Sequence, residues 1–301
     1  MDNHIMDDYV NDEPEEIDAH SAMGQRATGP SVHGRGVERK NVSAVVAELI
    51  GSFLFVFVGA GSVIANTWMQ GAIGLPGIAV AHGLALAVLI TIFGATSGGH
   101  FNPAVTIAFL VARRITSGLG FCYIVAHLVG AVLAALLLRV VFPAFVWKAA
   151  QLGTPALSNS VSIGASVAVE ALLTFFLLLA IYGTAIDTRA PKFGGFCIGL
   201  TMTACILGGG VLTGGIMNPA RSFGPALVSG IWTNQFVYWI GPIVGAVLAA
   251  CVYEYLILPR SHNEEQLLEP GTDSEESVVP QQVKECNFEA DHSPFSLTGD
   301  Q

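Results

Sequence analysis

Charge is what this chain has least of. Asp, Glu, Lys and Arg make up 12% of its 301 residues, where soluble domains carry about a quarter. With 52% hydrophobic residues, too little polar surface is left to clothe a soluble fold of this length. The scarcity is also uneven. Residues 41 to 257 hold only four acids and seven bases, whereas residues 1–40 hold nine acids and four bases and residues 258–301 hold ten acids and two bases. The net charge of −10 therefore belongs to two tails around an apolar, slightly basic core. That pattern excludes a soluble enzyme, a wholly disordered chain and a nucleic-acid binder. It fits an integral membrane protein embedded in a lipid bilayer.

Cysteine is scarce too. Cys122, Cys197, Cys205, Cys251 and Cys286 form no Cys-x-x-Cys pair, and four of the five lie in apolar runs. Neither a disulfide framework nor a metal site is expected, and no cofactor motif is present. The first 40 residues contain no apolar h-region, so no cleavable signal peptide is expected and the first span serves as anchor and insertion signal.

Six apolar runs are long enough to cross about 30 Å of hydrocarbon as helices. They lie near 44–66, 76–95, 119–142, 161–184, 194–209 and 234–257. Cytoplasmic loops retain Lys and Arg. Arg35, Arg39 and Lys40 precede the first span, Arg113 and Arg114 follow the second, Arg189 and Lys192 separate the fourth and fifth, and Arg260 follows the sixth. The other side offers Lys148. Both termini are thus expected in the cytoplasm, where the Asn41-Val42-Ser43 sequon is silent. The acidic tails 1–40 and 258–301 read as solvated and disordered, with Thr272 to Ser277 forming an acidic-directed phosphorylation pattern.

Two further apolar stretches, about 102–112 and 218–228, are too short to span. Each opens on Asn-Pro-Ala after a glycine-rich approach: Asn102-Pro103-Ala104 and Asn218-Pro219-Ala220. Asn before Pro is a general helix start. Two copies 116 residues apart, in halves that also share Ala47-Glu48-Leu49 and Val169-Glu170-Ala171, mean more. Each half has three spans, so the second enters from the opposite face and the short segments dip in from opposite sides. Short Gly/Pro-interrupted segments at matching places of an inverted repeat mark a binding or conduction site. If the half-helices meet, both positive N-termini face one pore, and the Asn102 and Asn218 amides donate to a central water, which breaks a proton wire.

These motifs closely resemble those of the aquaporins, or major intrinsic proteins, over residues 41–257. The resemblance implies an all-α membrane protein: an hourglass of six transmembrane helices plus two re-entrant half-helices in an inverted repeat (about 41–142 and 161–257), assembled as a homotetramer with one pore per subunit. In that family an arginine follows the second Asn-Pro-Ala, here Arg221, and forms part of the selectivity filter. A charge at this depth is costly and faces a cavity or a partner. Spacing carries over the other filter positions as His82, Ile206 and Gly215. The quartet is similar to that of the plant tonoplast intrinsic proteins and the animal aquaporin-8 branch, which implies passage of water and ammonia, with urea or hydrogen peroxide as further solutes. Glu48 and Glu170 are implied to support the half-helix loops. Ser222, Ala226, Tyr238 and Trp239 stand where glycerol facilitators carry Asp, a basic residue and Pro-Leu, which is the water-type pattern.

Some positions depart from the pattern. The loop after the third span has Pro155-Ala156-Leu157 where some ammonia-permeable members have a histidine, and a cysteine of the aquaporin-8 branch is replaced around Ala60. His127 stands where glutamine is common and reads as core packing. Cys205 reads either as a pore-near thiol or as an inert one, and His100 either lines the vestibule or packs the loop. Other classes fit less well. A secondary transporter lacks a charged coupling site beyond the two glutamates. An enzyme lacks acid or thiol partners at ligand spacing for His82, His100 and His127. An adhesive junction protein lacks elaborated loops at 67–75 and 229–233. The reading is a passive channel for water, with ammonia as a second permeant. A strictly water-selective channel and a glycerol facilitator are the alternatives.

Overall fold

The computed structural model describes residues 32–190 and 193–259. Most of both tails, Lys192, Arg260 and the pattern from Thr272 to Ser277 lie outside the described residues. Among the described residues the regular elements are all helical: α1 (Val32–Trp68), α2 (Gly74–Ser97), α3 (Pro103–Val111), α4 (Ser117–Val141), α5 (Ala144–Ala149), α6 (Ile163–Ile181), α7 (Gly194–Thr213), α8 (Pro219–Ser229) and α9 (Val237–Val252). Six stretches of 20 to 30 residues are long and apolar enough to cross a membrane, at about 1.5 Å of rise per residue. Several ends run two to four residues past the expected limits, whereas the fourth and sixth spans begin at Ile163 and Val237, two and three residues inside theirs, and α1 begins well before its span.

Polarity is arranged inside out. Leu84, Val88 and Ile92 on α2 and Ile240, Val244 and Leu248 on α9 recur every four residues and are exposed, while Glu48, His127, Glu170 and Arg221 are buried. Such apolar stripes are a liability in water and a solvated surface in lipid.

The two halves share one backbone itinerary. α2 ends on Gly98 (φ 91°) and α7 on Gly214 (φ 93°), each donating its N–H back to the fourth residue before it. Three residues on, Phe101 (φ 47°) and Met217 (φ 54°) both lie in the left-handed region, a strained choice for bulky side chains that clusters at functional sites. Asn102 and Asn218 then return to extended backbone and cap α3 and α8, with proline in each first turn. The halves meet where α2 crosses α7. A Cβ on Gly83 would lie 2.4 Å from the Gly199 carbonyl oxygen, and one on Gly199 would lie 2.3 Å from that of Gly83. That reciprocal contact of two backbones needs glycine on both sides.

At the end of the molecule where α1 begins, α6 and α9 finish in wide turns, Tyr182–Ile186 and Tyr253–Ile257. The Asp187 N–H donates to the Tyr182 carbonyl at 2.9 Å and the Leu258 N–H to the Tyr253 carbonyl at 2.8 Å. Arg114, just past α3, pairs with the Glu254 carboxylate, which also accepts the Tyr182 hydroxyl at 3.0 Å. The Arg189 guanidinium beside Asp187 holds that carboxyl well below the usual carboxylate range. The clip it forms is therefore present at neutral pH and is lost only on strong acidification. One element had no sequence signal: between α4 and α6 the chain forms α5 and a tight turn, Gln151–Gly153.

Candidate functional site

Asn102 and Asn218 meet in the middle of the fold through crossed hydrogen bonds. Asn102 Nδ2 donates to the Met217 carbonyl at 2.8 Å, and Asn218 Nδ2 donates to the Phe101 carbonyl at 2.9 Å. Each asparagine thus grips the left-handed residue ahead of the other's helix. Their Oδ1 atoms accept backbone N–H groups of the following turns, Ala104 at 2.9 Å and Ala220 at 3.0 Å. An amide nitrogen carries two hydrogens, so each asparagine keeps one to offer to a molecule beside it. Pro103, Ala104, Pro219 and Ala220 are buried behind them in the first turns of α3 and α8.

Both asparagines line a constriction of about 10 Å³ with apolar Phe55, Leu86, Leu177 and Met202, room for about one water. Toward the end where α1 begins it widens into a cavity of about 290 Å³ that shares Ile90, Gly99, His100, Ile181 and Ile198 with the constriction. His100 therefore lines the vestibule. It also packs the loop, since its Nδ1 bonds Thr106 Oγ1 at 2.9 Å and its ring lies 4.7 Å from that of Phe109.

The four expected filter residues form two contacting pairs. Arg221 Nε donates to His82 Nε2 at 3.2 Å, and His82 Nδ1 lies 2.8 Å from the Ile78 carbonyl. That carbonyl can only accept, so Nδ1 carries hydrogen and Nε2 is left with a lone pair for the arginine. The other pair is Gly215 on the backbone of Ile206, where a Cβ would lie 3.2 Å from the Ile206 Cα.

Two residues that sequence reasoning missed complete this region. Arg221 Nη1 donates to the Gly153 carbonyl at 2.9 Å, so the tight turn after α5 holds the guanidinium. Gly59 lets α1 approach from behind, since a Cβ there would lie 2.5 Å from His82 Nε2 and 3.2 Å from Arg221 Nε. A Gly59→Ala chain is expected to fold with a displaced His82 and to be destabilised by about 1–3 kcal/mol, the usual cost of inserting a methyl group into a packed site. A lower thermal midpoint in detergent measures this.

Glu48 and Glu170 sit at equivalent places. Glu170 accepts the Thr213 hydroxyl at 2.6 Å and the Ile216 and Met217 N–H groups at 3.0 and 2.8 Å. Glu48 accepts the Ser97 hydroxyl at 2.6 Å and the His100 and Phe101 N–H groups at 2.9 and 2.6 Å. His127 is more than packing: its Nε2 lies 2.6 Å from Glu48 Oε2. The acid partner that sequence spacing could not supply comes from another helix. The Cys205 thiol donates toward the Leu173 carbonyl on α6 at 3.5 Å and is not part of the constriction lining. Ser222 bonds the Pro219 carbonyl at 2.9 Å, Ala226 is buried on α8, Tyr238 donates to the Thr213 carbonyl at 2.8 Å and Trp239 packs edgewise on Phe223.

Comparison with known proteins agrees with this architecture. The family model for major intrinsic proteins matches residues 37–253. The chain is 43% identical over 232 residues to aquaporin TIP4-4 of Zea mays, covering 74% of this chain and 90% of that one. It is 38% identical over 272 residues to the probable aquaporin TIP3-2 of Arabidopsis thaliana, covering 83% and 98%. The solved structure of the aquaglyceroporin from Plasmodium falciparum superposes with a TM-score of 0.65 at 24% identity over 72% of this chain and 97% of that one, a likeness of fold.

Proposed function

Because the chain belongs to the major intrinsic protein family, we propose that it is a passive channel for water that also passes neutral ammonia while excluding protons and ions. It is a multi-pass membrane channel of the aquaporin kind and not an enzyme. The observation that carries the solute reading is the Arg221–His82 hydrogen bond at 3.2 Å, with Gly215 and Ile206 as the neighbouring filter pair.

The mechanism follows from charge and hydrogen bonding. A water at the constriction accepts from the free amide hydrogens of Asn102 and Asn218, so its own hydrogens point away from both. A chain of waters oriented outward from the centre cannot relay a proton through it. The N-termini of α3 and α8 add positive potential at the same place. At the filter, Arg221 repels ammonium and hydronium but offers donors to neutral molecules. Gly215 contributes no side chain and Ile206 an apolar one, so the opening suits a small solute such as ammonia. Urea and hydrogen peroxide are the next candidates by size. Ser222, Ala226, Tyr238 and Trp239 favour this reading over a glycerol facilitator.

Narrowing the filter tests the reading. His82→Phe removes the acceptor for Arg221 and adds an aromatic wall, and it is expected to lower the ammonia-to-water flux ratio about tenfold, the discrimination that a modest steric change in a pocket provides. Paired shrinkage and alkalinisation assays read the ratio, and an unaltered ratio would remove the filter assignment.

The channel core is proposed to span 41–257, with one pore per subunit of a homotetramer and both termini cytoplasmic as the Lys and Arg distribution favours. The similarity of the filter to the tonoplast branch favours an internal, vacuolar-type membrane.

A further inference from the structure

The two half-helix loops are held alike except at one position. Each carboxylate takes one hydroxyl and two backbone N–H groups, and Glu48 alone takes a fourth partner, His127 Nε2 at 2.6 Å. Gly130 and Gly245 set the register between the halves. A Cβ on Gly130 would lie 2.5 Å from the Leu49 carbonyl oxygen, and one on Gly245 would lie 2.0 Å from that of Ala171. Leu49 and Ala171 each follow the loop-holding glutamate, and three residues before the two glycines stand His127 and Pro242. Proline offers no side-chain donor. The second repeat therefore has no counterpart of the imidazole.

His127 and Glu48 are both fully buried, and His127 Nδ1 has no hydrogen-bond partner. The titratable groups facing His127 are Glu48 on α1, His100 in the re-entrant loop and Tyr123 one turn earlier on α4, its ring 6.2 Å away. Residues 103–111 of α3 include no titratable side chain, and Arg221 of α8 is turned toward His82 and Gly153. The imidazole can hold Glu48 as a neutral Nε2–H donor or as an imidazolium. As an imidazolium it makes a charge-assisted bond, roughly twice as strong as a neutral one, and it gives the buried carboxylate a counter-charge. Against this stands an Nδ1–H without an acceptor, itself a cost. The outcome reaches the pore, because Glu48 holds the N–H groups of His100, in the vestibule wall, and of Phe101, whose carbonyl binds Asn218.

We propose that His127 is a positioning residue of the first half-helix loop, and that the proton on its imidazole sets how firmly Glu48 holds residues 98–102. The first half-helix loop then responds through Glu48, and the second, whose Glu170 has no imidazole partner, does not. The flux consequence rests on the channel reading above, whereas loop protection does not.

Amide hydrogen exchange of the segments 97–104 and 213–220 tests this in nanodiscs, corrected for intrinsic exchange, from about pH 5 to 8. Osmotic water flux is measured alongside. In the natural chain, protection of 97–104 rises about threefold or more as the pH falls, while 213–220 stays flat, as expected of a local opening in which only one loop gains a charge-assisted bond. His127→Gln, which keeps a neutral donor and leaves His100 in place, flattens the profile of 97–104. His127→Leu lowers protection there at every pH. A flat profile in the natural chain overturns the proposal, as does a His127→Gln profile that still follows the natural one or a His127→Leu chain with natural protection. Should His127→Leu fail to fold, the His127→Gln profile decides. Exchange as expected without any water flux would leave the positioning role standing and remove the channel reading.

Discussion

Replacing Glu170 with alanine is expected to unfold the second half of the pore. The substitution strands the Thr213 hydroxyl and the Ile216 and Met217 N–H groups, all three bonded to this carboxylate at 3.0 Å or less. Each buried donor left without a partner costs about 1–3 kcal/mol, so the total is about 3–9 kcal/mol. Net stabilities of folded proteins are only about 5–15 kcal/mol, and Glu170 and Thr213 are fully buried, so the stranded donors are shielded from bulk water. Most of the variant should fail to accumulate as folded protein. The surviving fraction should show a sharply lower thermal midpoint in detergent. Glu170→Gln retains one carbonyl oxygen as acceptor and should fall between the two. A Glu170→Ala protein that melts with the natural chain would show that the loop stands without its carboxylate.

Arg221→Val has its effect on selectivity rather than on folding. The guanidinium is buried, bonded to Gly153 and His82, and follows directly on the Asn-Pro-Ala turn. A unit charge met at about 4 Å costs a cation about 4 kcal/mol at an effective dielectric of about 20. At about 1.4 kcal/mol per factor of ten, removing it raises proton or ammonium leak by up to about a thousandfold. Water flux should change far less, because the asparagine constriction is untouched. Collapse of an imposed pH gradient across proteoliposomes measures the leak. A gradient that decays at the natural rate would mean that the half-helix termini and asparagines alone exclude cations.

The half-helices were the most legible part of the chain. The stretches expected at 102–112 and 218–228 are found as Pro103–Val111 and Pro219–Ser229, because Asn and Pro act locally, capping and starting a turn whatever the tertiary context. Span limits were looser. An apolar run blurs into its loop, and the true stops, such as Gly98 and Gly214 in left-handed conformation, look like any other glycine in a glycine-rich stretch. What could not be read was contributed by backbone or by distance. The Gly153 carbonyl that holds Arg221 belongs to a group every residue possesses, so no residue type announces it. Gly59 matters for the side chain it lacks. His127 and Glu48 are 79 positions apart, and only the packing of α4 on α1 makes the histidine a partner of the carboxylate instead of a core filler. The crossed bonds from Asn102 to Met217 and from Asn218 to Phe101 follow the same rule. Each asparagine was legible, while the carbonyl it grips was set by the inverted repeat.

The most direct test of a water and ammonia channel is the paired measurement on the natural chain in proteoliposomes: osmotic shrinkage for water, and the internal pH rise on exposure to ammonia. Shrinkage and alkalinisation both well above the empty-liposome rate are the expected result, and they would tie the Arg221–His82 pair and the open Gly215–Ile206 side to the solute range. Fast shrinkage with alkalinisation at the empty-liposome rate would contradict it and leave a channel for water alone.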